Sequence, residues 1–428
     1  MKVLGTIFIV ILTSLFYFPF ATSFLPEANT KMVLAAVGLV LFMYQTTQRH
    51  NAEVDSTFAS VSAWALLVST VGLFSALANG SGDYTYASYI VSAWVWMGGA
   101  YAVIKCIGVV YGKVTLRLLT NILVTVCVAQ CILSQIIDTN ASFAEWVDSF
   151  MVSTGFMGKA EGRLYGIGCA LDVAGLKFCA VLILLAYFAM NPSKKINVYI
   201  EISLYVMAFF IISILGSMIS RTTSIGVLIV IVYWIWVFLC NKRSTSEYCT
   251  IYFWGGGGGG GGWCVFVVFF FVFFFGFEGF FSLAETGEWN VSSNDRLMGM
   301  WVWPDNIVTW LIGDGYFNSP DINPYYIGPS AIGGYYMGTD IGYCRFVFYF
   351  GLIGLAVFCA YFVNCAKQCS KIIPQCRNLF WIILLINFIG WAKVSSDIFP
   401  IYALMLMLGK EPVKDSDNQM VQGNCNYL

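Results

Sequence analysis

Residues 194–243 read KKINVYIEISLYVMAFFIISILGSMISRTTSIGVLIVIVYWIWVFLCNKR, and this stretch decides the fold. Its two apolar runs, 197–219 and 223–240, approach or exceed the roughly 20 residues a helix needs to cross the hydrocarbon of a bilayer. Lys194 and Lys195 precede the pair, Lys242 and Arg243 follow it, and Arg221 stands between the runs. Basic flanks stay in the cytoplasm. The stretch therefore reads as an out-and-back passage whose turn, with Arg221, faces outward.

The same reading extended in both directions gives twelve segments, at about 3–24, 31–46, 57–78, 85–105, 117–137, 168–190, 197–219, 223–240, 250–277, 342–363, 379–393 and 397–409. With the N-terminus inside, fourteen of the twenty-two basic residues fall on the inner side, so both termini are expected in the cytoplasm, with 410–428 as a cytoplasmic tail. The expected fold class is all-α: a single integral membrane domain over 1–428, polytopic, with about 12 transmembrane helices. Composition agrees, since 59% of the 428 residues are hydrophobic and only 11% charged, against about 25% in soluble domains. Val3 to Phe20 has no small-residue cleavage site after it and reads as a retained first helix. A net charge of −1 and the lack of a basic stripe exclude nucleic acid as a partner.

One long segment interrupts the apolar pattern. Residues 278–341, between segments nine and ten, hold eight carboxylates, a single cation, Arg296, many aromatics and the turn-forming runs Asn318-Ser319-Pro320-Asp321 and Gly328-Pro329. So long and turn-rich a connection reads as a folded loop, and its place puts it on the outer, periplasmic side as the roof of an active site. No repeat relates the two halves of the chain and no comparable loop occurs early, which counts against a transporter built from two similar halves.

Four arginines lie on the outer side, where the charge rule disfavours them: Arg163, Arg221, Arg296 and Arg345. A guanidinium matches phosphate oxygens bidentately and stays charged at any working pH, so this group points to an anionic ligand at membrane depth, such as a lipid pyrophosphate. If the diphosphate leaves during reaction, these cations stabilise the developing charge without a metal. No metal site and no cofactor are expected, because Cys365, Cys369 and Cys376 have no histidine near them and the one histidine, His50, falls on the inner side. A general base must then be a carboxylate. Asp340, five residues before Arg345, is the first candidate; Asp172, early in segment six with Lys177 beyond it, is the second, with orientation of the segment as its plainer role. Aromatics such as Trp303, Trp310, Tyr316, Tyr335 and Tyr336 suit either sugar stacking or interface anchoring. Gly255 to Gly262 forms eight consecutive glycines inside segment nine. No Lys-Ser/Thr follows them, so they are no phosphate loop; a G-rich coding tract prone to slippage accounts for them better.

These features together resemble the Wzy-type O-antigen polymerases, more distantly related to O-antigen ligases. The likeness lies in the polytopic layout with one late periplasmic loop, and in GRLYGIGCALDVAGLKF (162–178), SRTTSIGVLI (220–229), NDRLMGMWVWPDNIVTWLIGDGY (294–316) and TDIGYCRFVFYFGLIGL (339–355). The resemblance implies a metal-independent inverting glycosyltransferase of the bacterial inner membrane. It would transfer a growing glycan from undecaprenyl pyrophosphate to another lipid-linked repeat unit. Arg221 and Arg345 would bind the pyrophosphate, and with Asp340 they form the expected catalytic group. Arg163, Arg296, Asp172 and Tyr343 are the expected substrate-binding residues. Undecaprenyl-pyrophosphate-linked oligosaccharides, the lipid bilayer, a chain-length regulator and a flippase are the implied partners. The ligases carry a histidine before the helix that corresponds to segment ten; here Thr339 and Asp340 stand there, which weakens a ligase reading. A lipid-linked oligosaccharide flippase is the alternative from another class.

Overall fold

The computed structural model describes residues 2–48, 56–152, 163–193, 198–240, 299–319 and 334–408. Across these residues the chain is mostly helical. The helices are α1 (Lys2–Tyr17), α2 (Thr30–Gln48), α3 (Ser56–Asn79), α4 (Tyr89–Tyr111), α5 (Leu116–Thr139), α6 (Ala141–Phe150), α7 (Leu171–Met190), α8 (Val198–Ile219), α9 (Thr223–Cys240), α10 (Ile307–Ile312), α11 (Gly342–Ile372), α12 (Arg377–Trp391) and α13 (Phe399–Leu408). Eleven of the twelve expected segments coincide with one of them; the ninth, 250–277, lies outside the described residues, as do Gly255 to Gly262. Seven helices, α2, α3, α4, α5, α7, α8 and α11, are long and apolar enough to cross a membrane, while α1, α9 and α13 are apolar but shorter.

Three local outcomes correct the sequence reading. The first helix stops at Tyr17 and not near residue 24, because Pro19 has no N–H to continue it. The chain instead makes a small antiparallel ribbon of β1 (Ala21–Thr22) and β2 (Leu25–Asn29), so the fold is not purely helical. Second, the connection before α7 contains its own short helix, α6, capped by the Asn140 side chain, which accepts from the Phe143 N–H at 3.1 Å. Third, α11 is broken. Phe350 (φ −133°) and Gly351 (φ 65°) leave helical geometry and divide it into a short first piece and a longer second one.

That break exposes the last carbonyls of the first piece, which need partners wherever water is scarce. The loop supplies them. Asp314 N–H donates to the Phe348 carbonyl at 2.6 Å, Gly315 N–H to that of Tyr349 at 3.1 Å, and Ser75 Oγ from α3 also to Tyr349 at 2.6 Å. A β-carbon on Gly351 would lie 2.2 Å from the Leu311 carbonyl, so only glycine admits α10 this close.

The bundle has two distinct ends. At one, the described connections 18–29, 80–88, 140–152, 163–170, 220–222, 299–319, 334–341 and 392–398 meet: Ser23 N–H reaches the Phe150 carbonyl (2.9 Å), Leu164 N–H that of Met218 (3.3 Å), and Phe317 N–H the Asp83 carboxylate (2.8 Å). At the other, Arg117 at the start of α5 pairs with Glu201 of α8 at 2.6 Å and also donates to the Asn191 carbonyl. Between them α2 packs on α4, α3 on α11, α7 against α8 and α9, and α13 on α4 and α11. The α2–α4 crossing is close: a β-carbon on Gly38 would meet the Gly98 carbonyl oxygen at 1.8 Å, and small residues at such crossings let helix backbones approach inside a membrane.

Candidate functional site

The short first piece of α11 carries Arg345 into the loop-rich end, where the side chain is only 5% exposed. Its Nη1 donates to Ser395 Oγ (2.7 Å), and its Nη2 to the Phe317 carbonyl (2.9 Å) and to Asn318 Oδ1 (3.1 Å). The guanidinium lies over the rings of Phe317, 3.5 Å from the centroid, and Tyr335, 4.5 Å away. Nε is buried without a partner, and no carboxylate is in ion-pair contact among the described residues. A buried cation whose hydrogen bonds all go to neutral groups, with Asp340 and Asp83 acting on it only electrostatically, is expensive to keep.

Asp83, in the connection from α3 to α4, holds the same loop from the other side. Its Oδ2 accepts the N–H groups of Phe317 and Asn318 (3.2 Å), and its Oδ1 those of the Thr85 hydroxyl (2.6 Å) and backbone (3.0 Å). Burial alone would raise the Asp83 carboxyl, but these hydrogen bonds to Thr85, Phe317 and Asn318 outweigh it and hold the group below the usual carboxylate range.

A second set of cations stands nearby in the same end. Lys177 in α7 is 2% exposed, donates from Nζ to the Tyr17 carbonyl, and lies 5.2 Å from the Phe18 ring and 5.7 Å from that of Trp96. Lys31, at the start of α2, places its Nζ 4.3 Å from the same Trp96 ring. Asp397, between α12 and α13, acts electrostatically on both lysines and on Tyr86, which also senses Arg345. Burial pushes the Asp397 carboxyl up, against the Phe399 N–H and the two lysines.

The expected residues fall as follows. Asp340 directly precedes Ile341, the residue that caps α11, and lies close enough to act on Arg345. Arg221 occupies the tight α8–α9 turn against α7, where Cys179 Sγ approaches the Thr222 carbonyl at 3.2 Å. Arg163 sits beside Leu164, whose bond to Met218 sets it next to the end of α8 and hence near that turn. Tyr343 spends its hydroxyl on the Phe388 carbonyl (2.8 Å) and its ring edge on Trp391, tying α11 to α12. Asp172 is in the first turn of α7. Arg296 lies outside the described residues. The loop aromatics stack on one another, Trp303 on Trp310 at 5.4 Å and Tyr316 on Tyr336 at 5.3 Å. The structure thus joins Arg345 with Asp340 and sets Arg163 near Arg221.

The sequence reading gave no role to Asp83, Lys31, Lys177, Ser395 or Asp397. For Lys177 a signal existed, a cation six residues inside an apolar helix; for the others only the folded connections bring them in. Among the described residues, no group of three or more histidine, cysteine, aspartate or glutamate side chains is placed to hold a metal. No protein-family model matches this chain, and neither a curated protein nor a solved structure matches it.

Proposed function

We propose that the chain is a polysaccharide polymerase of the O-antigen type, a glycosyltransferase that moves a growing glycan from a lipid pyrophosphate to the next lipid-linked repeat unit. The observation that carries this reading is Arg345, buried under the loop with hydrogen bonds to neutral groups only and an unpartnered Nε. Such a guanidinium, with Lys177 and Lys31 in the same end of the bundle, suits a diphosphate that gains charge as its bond to the sugar breaks. Arg221 and Arg163 supply further cations for donor or acceptor, and Arg296 is expected to join them. On this reading all twelve segments span a bacterial inner membrane, the loop-rich end faces the periplasm and both termini lie in the cytoplasm.

The test is a gel profile of glycan in cells lacking the gene, with and without the intact copy. Single repeat units at the surface, with a ladder restored by the gene, support a polymerase. Long chains retained on the lipid carrier in the deletion would indicate a ligase instead, and unextended units trapped on the inner leaflet a flippase.

A further inference from the structure

The α12–α13 connection, 392–398, gives Ser395 to Arg345 and carries Asp397 two residues on. Only one oxygen of Asp397 is committed: Oδ1 accepts the Phe399 N–H at 2.9 Å. Among the described residues the other takes no hydrogen bond and is not sealed from solvent. The side chain is half-buried. Among the described residues, the groups it acts on electrostatically are Lys31 at the start of α2, Lys177 in α7, Tyr86 just before α4, Tyr89 at its start, and Tyr361 and Cys365 along the second piece of α11. Both ammonium groups lie near the Trp96 ring, Lys31 at 4.3 Å and Lys177 at 5.7 Å from its centroid. A carboxylate with one free oxygen, two cations to steady its charge, and a place on the connection whose Ser395 accepts from Arg345 of α11 has the parts of a proton-accepting site.

Resting on the polymerase reading above, we infer that Asp397, and not Asp340, is the general base, and that Lys31, Lys177 and Trp96 form the acceptor side of the site. The acceptor hydroxyl oxygen forms a bond to the anomeric carbon while its proton passes to Asp397 Oδ2. The bond from that carbon to the pyrophosphate oxygen breaks, and its electron pair leaves with the lipid pyrophosphate beside Arg345. Atoms and charge balance: a carboxylate and a hydroxyl become a carboxylic acid and a glycosidic oxygen, and the carrier departs with one more negative charge.

The plainer role of Asp397 is to cap α13, and the two roles separate by substitution. Asparagine or serine also accepts a backbone N–H at a helix start, so Asp397→Asn and Asp397→Ser keep the cap while removing the base. Spheroplasts of a deletion strain carrying the full chain or a variant, at equal protein level, are followed for ladder growth as external pH varies. We expect Asp397→Asn and Asp397→Ser to slow elongation by at least about 100-fold and Asp397→Glu to retain part of the rate. The intact chain should show a rate that rises with pH through a midpoint above the usual carboxylate range. An Asp397→Asn ladder and pH profile equal to those of the intact chain overturns the assignment while leaving the polymerase reading in place. An intact copy that restores no ladder overturns both.

Discussion

Asp83 and Arg345 grip one dipeptide from opposite sides. The carboxylate takes the N–H groups of Phe317 and Asn318, and the guanidinium donates to the Phe317 carbonyl and the Asn318 side-chain oxygen. The loop at Phe317 and Asn318 is thereby pinned beside the first piece of α11 by two groups far apart in the chain, and the arginine that the proposed reaction needs is also the one that holds its roof. On the proposed reading, loop docking and anion binding are coupled through a single side chain.

Replacing Arg345 tests that coupling. Arg345→Lys keeps a positive charge but loses the fork that reaches Ser395 and the dipeptide together. Elongation should fall by about 10²–10³-fold, the usual cost of removing a group that stabilises developing charge, with protein level in the membrane unchanged. A ladder of normal length from Arg345→Lys and Arg345→Ala alike would remove this arginine from the mechanism.

Asp83 gives a pH dependence whose sign follows from its shift. Its carboxyl in the folded chain lies below its unfolded value, so the stability it contributes is fully present above the unfolded value of about 3.9 and is lost as pH falls through the folded one. The loop should therefore stay docked at neutral pH and loosen only in acid. Protease sensitivity of the purified protein measured against pH should rise below about pH 4, and Asp83→Asn should show raised sensitivity already at pH 7.

The orientation of the bundle is open to direct labelling. A cysteine placed at exposed Tyr84, in the connection from α3 to α4, should react in intact cells with a reagent that cannot cross the inner membrane, and one placed at Lys113 should not. The reverse pattern would put the loop-rich end in the cytoplasm and the proposed site on the wrong side.

Hydropathy and the placement of Lys and Arg located eleven helices because a bilayer leaves an apolar run no other way to satisfy its backbone. What they could not locate depends on contacts across the chain. The short connection holding Asp83 looks unremarkable until it is seen that its carboxylate has partners at Phe317 and Asn318. Arg345 was legible as an outlier in the charge rule. Its neutral hydrogen-bond partners were not, since Ser395 and Phe317 are remote in sequence. Tyr343 entered the expected site through the resemblance carried by TDIGYCRFVFYFGLIGL, yet residues two apart on a helix point in nearly opposite directions, and its hydroxyl goes to α12.

The break in α11 was hidden for a related reason. Its stretch, FVFYFGLIGL, is as apolar as any spanning helix, and one glycine in such a run is ordinarily tolerated. Gly351 is different because it combines a left-handed φ of 65° with a backbone carbonyl of α10 where a side chain would begin. Gly351→Ala must either straighten the helix, which strips the loop from the Phe348 and Tyr349 carbonyls, or keep the break at a cost of about 1–3 kcal/mol in backbone strain before the clash is counted. Either way α10 is displaced and Arg345 loses its roof. In detergent the variant should unfold at lower temperature than the intact chain, and in cells its ladder should shorten even though no charged group has changed. Gly5→Ala, in α1 far from the break and meeting only the Val110 methyl groups at 3.1 and 3.3 Å, is the control and should leave the loop undisturbed. If Gly351→Ala instead matches the intact chain in both melting temperature and ladder length, the break is not what seats the loop.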